Sequence, residues 1–239
     1  MIFLFIAAIV TSAISSVTGM AGGVVLLSLM TFSLPVAVII PIHGLVQLFS
    51  NSFRVYYLRE SINKRFIKYF VVGVPLGASI SVLALRNVFT DKWIFVALAI
   101  LIAYSLFKPK KLPSLKLKLY QWSIVGIIAG ALAIIVGSVG PFLAAFFVRD
   151  DLEKKEIIST KASMQMLCHF IKIPSFLFIG FDYKAYGIET ALLVLGALIG
   201  TKFGVIILDK INDKVFKVLF KSFLAIALIR IVFKIAAAA

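Results

Sequence analysis

Val17-Thr18-Gly19-Met20-Ala21-Gly22-Gly23 returns 118 residues later as Ile135-Val136-Gly137-Ser138-Val139-Gly140-Pro141. At the same offset, Pro41-Ile42-His43-Gly44-Leu45-Val46-Gln47-Leu48-Phe49-Ser50-Asn51 matches Ser159-Thr160-Lys161-Ala162-Ser163-Met164-Gln165-Met166-Leu167-Cys168-His169 without a gap. Gly73-Val74-Pro75-Leu76-Gly77 then answers Gly196-Ala197-Leu198-Ile199-Gly200, and Thr90-Asp91-Lys92 answers Asn212-Asp213-Lys214. The chain is two copies of one unit. Duplicated apolar blocks with glycine-interrupted segments at matching positions point to a transporter whose site lies between the copies.

Hydrophobic residues make up 62% of the chain and charged ones 15%, far from the balance of a soluble domain. Apolar segments at 2–33, 36–58, 66–86, 92–107, 120–148, 156–179, 186–207 and 213–234 reach or approach the roughly 20 residues that cross a bilayer. The expected fold is all-α: a polytopic membrane protein of about eight helical segments in two pseudo-symmetric repeats. The first repeat runs over 1–107, a basic linker over 108–118 and the second repeat over 119–235. The closing alanines at 236–239 are set aside as a tail. A signal-peptide reading of the first segment fails, because its duplicate at 120–136 sits mid-chain.

The net charge of +15 raises nucleic acid as a partner, and its distribution argues against one. Arg54, Arg59, Lys64, Arg65 and Lys68 are read as one short loop, and Lys108, Lys110, Lys111, Lys116 and Lys118 as the linker. Short basic loops are what the positive-inside rule places in the cytoplasm, so 54–68 and 108–118 are both expected there. The single cysteine, Cys168, excludes an internal disulfide and reads as a small filler in its helix.

Residues 2–33 would form a helix of about 48 Å, too long for one upright crossing. Glycines at 19, 22 and 23 split it, leaving arms of 2–18 and 24–33, and 137–141 divides the second copy likewise. Two arrangements fit. A tilted, broken crossing gives parallel repeats; a re-entrant hairpin gives inverted ones. Loop charge does not separate them, since both put the two basic loops on one side. With short helices starting at Val24 and Phe142, free N–H groups and positive dipole ends would face each break and suit an anion. The alternative use of such small residues is tight helix packing.

His43, Gln47, Ser50 or Asn51, and Arg54 share one face of the second helix. Lys161, Gln165, Cys168 or His169, and Lys172 take the same places in the second copy. The cations could instead snorkel to the surface, and the glutamines could bond neighbouring helices. The spans carry no central carboxylate, which disfavours a cation carrier, a hydrolase or a metal site. The cargo is therefore expected to be an anion, with no metal and no cofactor. The expected binding residues are Gly19, Met20, Ala21, Gly22, Gly23, Gln47, Asn51, Gly137, Ser138, Val139, Gly140, Lys161, Gln165 and His169. His43 and His169 are the candidate proton carriers. Gly73, Gly77, Gly196, Gly200 and Gly204 read as a small-residue packing face. Trp93 and Trp122 read as interfacial anchors, and Lys214, Lys217 and Lys221 share a face of the last helix.

Two copies of about four apolar segments, each opened by a glycine-rich break and joined by a basic linker, resemble the TauE/SafE family of sulfite exporters. The family's G-x-G-G-G-like turn is matched by Gly19, Gly22 and Gly23, and by Gly137 and Gly140. Ala21 and Val139 stand where the family usually has glycine, and Pro141 replaces another. The resemblance implies transport of sulfite, an organosulfonate or a related sulfur oxyanion across a prokaryotic cytoplasmic membrane. The resulting expectation is a secondary transporter for a small anion, coupled to protons, that is not an enzyme. Its partners would be the solute, the lipid bilayer and a second copy in a homodimer. The alternatives are an anion channel and, further behind, a membrane-embedded enzyme acting on a phosphorylated lipid.

Overall fold

The computed structural model describes residues 1–18, 21–88, 117–147 and 151–207, with single positions 96, 99, 100, 103, 107, 225, 228, 229, 232, 233 and 236. The described residues form eight α-helices and no strand: α1 (Ile2–Thr18), α2 (Ala21–Met30), α3 (Val36–Tyr57), α4 (Lys64–Val88), α5 (Trp122–Ile135), α6 (Gly140–Ala144), α7 (Lys154–Ile179) and α8 (Gly187–Ile206). Stretches at Lys64–Ala84, Lys154–Ile179 and Lys184–Ile206 are long and apolar enough to cross a membrane. On α4, Val72, Leu76, Ile80 and Leu83 form an exposed apolar stripe at spacings of three and four, the face expected to meet lipid. The fourth segment of each copy, the linker, Trp93, Lys214, Lys217 and Lys221 fall almost wholly outside the described residues, as do Gly19 and Met20.

Both opening segments are hairpins rather than broken crossings. Gly22, in the first turn of α2, lies so close to Thr11 of α1 that a Cβ would fall 1.7 Å from the Thr11 carbonyl oxygen. Phe32, just past α2, meets Phe3 at the start of α1 with ring centroids 6.2 Å apart. The chain has doubled back on itself. In the second copy, Phe146 and Phe147 return to Trp122, the first residue of α5, at 6.0 and 5.5 Å. Gly137 makes that turn at φ +86°, where any other L-residue would be strained. Trp122 is accordingly not an interfacial anchor. It is fully buried between Phe66, Phe146 and Phe147, because the returning arm covers the ring that a straight crossing would have left at the membrane surface.

Close glycine crossings set the helix directions. Gly73 and Gly77 of α4 lie against Ser123 and Ile127 of α5, in the same order along both helices, so the two run parallel. Gly196, Gly200 and Gly204 of α8 lie against Phe5, Ile9 and Ala13 of α1, again in parallel. By contrast, α3 and α7 are antiparallel: His43 meets His169, while Asn63, past the end of α3, bonds Thr160 at the start of α7. Finally, Arg54 near the end of α3 reaches Ser16 near the end of α1, so those two run alike. On the opposite side, Ala78 and Val82 of α4 pack with Phe176 of α7, whose start lies in the cluster of Phe66 and Phe70 through Met164; α4 therefore runs with α7. The first, second and third elements of copy one (α1, α3, α4) thus point oppositely to their counterparts in copy two (α5, α7, α8). The repeats are inverted and interdigitated, with the third helix of each copy packed on the first helix of the other.

A Cβ at position 77 would sit 1.8 Å from the Ile127 carbonyl oxygen, whereas one at Gly187 would meet nothing within 4 Å. Gly77→Ala should therefore force α4 and α5 apart and cost about 1–3 kcal/mol as an overpacking change. Gly187→Ala should leave the melting temperature in detergent close to wild type. Equal melting of the two variants would show that the crossing is not close-packed.

Candidate functional site

The turns of the two hairpins meet inside the bundle. From the position of a Cβ on Gly23, Gln47 Oε1 is 3.3 Å away and Ser138 Oγ 3.7 Å. From Gly137, the Leu27 side chain of the opposite hairpin is 3.2 Å away. The helices begin earlier than expected, at Ala21 and Gly140 instead of Val24 and Phe142. Gly22 and Gly23 are therefore helical, and the two divide the roles between them. Gly22 permits close packing on α1, and Gly23 faces the other hairpin.

Side chains of α3 and α7 surround this junction. His43 Nε2 donates to the Gly23 carbonyl oxygen at 2.8 Å; a carbonyl only accepts, so the proton sits on Nε2 and Nδ1 presents a lone pair. That Nδ1 has no partner among the described residues, nor has Nδ1 of His169. The two imidazoles stand edge to face with centroids 5.6 Å apart. Lys172 Nζ donates to the Gly137 carbonyl oxygen, and its aliphatic stem lies over Gly44, where a Cβ would fall 2.8 Å from Cδ. Gln47 Nε2 is buried and likewise has no partner among the described residues. An amide nitrogen whose two donors meet no partner among the described residues can receive an acceptor.

The basic face is interior, not peripheral. Arg54 and Lys172 are both 0% exposed and Lys161 is 1% exposed, so none snorkels. Among the described residues, the partners of Arg54 are Ser16 Oγ, Asn51 Oδ1 and Ser50 Oγ, all neutral. This also corrects the basic loop read at 54–68. α3 runs on to Tyr57 and α4 begins at Lys64, so Arg54 belongs to a buried helix and Lys64, Arg65 and Lys68 to the opening turns of another. Asn51 is turned toward Arg54 and the Gln47 carbonyl rather than toward the hairpin junction. Gln165 and Lys161 are buried on α7. Val139 and Gly140 are buried beside Ser138, while Cys168 packs with Phe70, Trp122 and Met164, as expected of a filler. No group of three metal-ligating side chains occurs among the described residues.

Two features of the site were out of reach of sequence reading. The Gly23–His43 bond depends on how the first hairpin docks on α3, and the Gly44–Lys172 contact on how the two copies interlock. Only the presence of a glycine beside the polar stripe, at position 44, hinted that something bulky must lie across α3.

A buried ammonium lacking a carboxylate partner is a net cost to the empty protein. Lys172→Met should thus leave the ligand-free melting temperature near wild type or above it, the lost bond to Gly137 being offset by the charge removed. The same variant should be stabilised less than wild type by an added small anion. A large drop in the ligand-free melting temperature would instead mark Lys172 as a structural clamp.

The family model described as Sulfite exporter TauE/SafE matches residues 4–231 of the chain. No curated protein and no solved structure gives a significant match.

Proposed function

The chain belongs to the Sulfite exporter TauE/SafE family of membrane transporters, and on that premise we propose that it carries a small sulfur oxyanion, sulfite or an organosulfonate, across the cytoplasmic membrane. The observation that carries this reading is the buried Gln47 amide nitrogen, which has no partner among the described residues, at the junction of two hairpins beside which Lys172 bonds the Gly137 carbonyl. An anion entering there would accept from Gln47 Nε2, the Ser138 hydroxyl and the remaining N–H groups of Lys172. The positive end of α2, opened by Ala21 to Gly23, favours the same sign of charge. Of the other members of the expected binding set, Gly140, Val139, Gln165, Lys161 and His169 belong to this proposal as the walls of the same path.

Every described polar side chain of the site is at most 5% exposed, which suits an occluded state of a carrier. Transport then requires one inverted half to rock against the other so that the junction opens alternately to each side. An open pore has no need of two hairpin turns closing on one another, so the carrier is favoured over the channel. A lipid-phosphate enzyme would be expected to use carboxylates or a metal set for its chemistry, and no group of three metal-ligating side chains occurs among the described residues.

Coupling to protons follows from the two unpartnered Nδ1 atoms. A proton taken by His43 or His169 would add charge beside Lys172 and raise the affinity for an anion, so solute and proton would travel together. Asn51 and Arg54 lie on the same stripe and keep the remainder of the path electropositive.

A thermal-shift panel of sulfite, methanesulfonate, sulfate and acetate on purified protein tests the cargo. A ligand at 100 times its Kd should stabilise the fold by about 2.7 kcal/mol; sulfite or the sulfonate should do so and acetate should not. Stabilisation by acetate alone, or by none of the four, would reject the sulfur-oxyanion reading. In proteoliposomes, a folded Gln47→Ala, Gln165→Ala double variant should lose most uptake, and full-rate transport would remove the site from the junction. Uptake should also rise toward acid pH in wild type and flatten in a His43→Gln, His169→Gln variant. A pH-independent wild type would eliminate coupling through these histidines.

A further inference from the structure

Lys172 is accounted for by the junction, but Arg54 is not. It is fully buried on α3, and Gly44, where Lys172 lies, precedes it by ten residues, about 15 Å of helix rise. Its guanidinium offers five N–H donors. Among the described residues they meet Asn51 Oδ1 at 2.9 Å, Ser16 Oγ at 3.3 Å and Ser50 Oγ at 3.5 Å. The last two are long, none is charged, and a guanidinium out of water ordinarily has a carboxylate to hold it.

Around it stands a ring of hydroxyls drawn from three helices. Ser16 comes from α1, Ser50 from α3, and Thr201 from α8, bonded to Ser50 at 2.8 Å. Ser12, one turn before Ser16 on α1, has a buried hydroxyl with no partner among the described residues. This grouping is also the internal counterpart of the first site. Arg54 aligns with Lys172 and Asn51 with His169 at the 118-residue offset. Each cation reaches back to the first element of its own copy, Lys172 to Gly137 and Arg54 to Ser16. Since α3 and α7 are antiparallel, the seven-residue steps from Gln47 to Arg54 and from Gln165 to Lys172 lead in opposite directions. The two cations therefore flank the glutamines from opposite sides of the membrane.

We propose that Arg54, with Asn51, Ser16, Ser50 and Ser12, forms a second binding station for the same oxyanion, on the opposite side of the glutamines from Lys172. The assignment rests on the anion-carrier reading above and extends it. The solute is handed between two inverted half-sites, one per copy, and each serves as the first binding place for one side of the membrane. A trigonal or tetrahedral oxyanion suits this station, because a planar guanidinium binds two of its oxygens in parallel while hydroxyls donate to the third. The ligand also supplies the negative charge that Arg54 lacks.

Saturation binding of radiolabelled sulfite to the purified protein tests the station, with transport measured from each side of proteoliposomes of fixed orientation. Wild type should bind two ions per chain. Arg54→Met and Lys172→Met should each bind one, and each should slow uptake mainly from its own side. Arg54→Lys should restore the second ion with reduced affinity. If Arg54→Met does not fold, a Ser16→Ala, Ser50→Ala variant, which keeps the charge, should weaken the second ion alone. One ion in wild type, or unchanged stoichiometry and sidedness in the Arg54 and serine variants, would overturn the second station while leaving the junction intact. Absence of any sulfite binding to wild type would overturn the carrier reading itself, and the second station with it.

Discussion

A helix that turns back inside a bilayer exposes backbone polar groups where no water can satisfy them, and those groups must be buried in protein or line a wet path. This chain meets that constraint twice, in one place. The carbonyl of Gly23 accepts from His43 and the carbonyl of Gly137 accepts from Lys172. The residues that complete the hairpin turns are thus the same ones that make the centre of the molecule electropositive. Structural need and the proposed anion site share a single set of side chains.

The remaining architecture holds the two turns in register. Parallel crossings of α1 on α8 and of α4 on α5 are tight enough to exclude any side chain beyond glycine at their contact points. Since lipid tails are as apolar as the helices, packing of this kind is what holds such a bundle together. Each crossing joins the first element of one copy to the third of the other. Neither copy closes its own hairpin against its own third helix, so the junction exists only in the interlocked whole. The two tightly crossed pairs pack around the central α3 and α7, and these two helices carry the polar stripe.

Much of this was written in local sequence. Internal repetition, the glycine interruptions and the polar face of α3 and α7 are periodic features that survive without any knowledge of contacts. The hairpin geometry was not, because a run such as 2–33 has the same composition whether it continues or folds back, and both readings put the basic loops on one side. Trp122 shows the limit well. Its place at a helix start is that of an interfacial anchor, and only the returning Phe146 and Phe147 make it a core residue. Arg54 misled in the same way: it stands next to loop charges in sequence, yet a further turn of α3 places it inside. Of the site, residue types and spacing were legible. Which atoms of Gly23, His43, Gly44 and Lys172 meet was not, since those contacts join residues distant in the chain, and Gly44 and Lys172 come from different copies.

The claim on which all else turns is that the two hairpin turns touch at the heart of the bundle and part during transport. Paired cysteines, Gly23→Cys with Ser138→Cys in a Cys168→Ser background, report on it directly. A membrane-permeant oxidant should join them within one chain and stop uptake, and reduction should restore it. Failure of the pair to cross-link in the membrane, or cross-linked protein that transports at the full rate, would contradict the account.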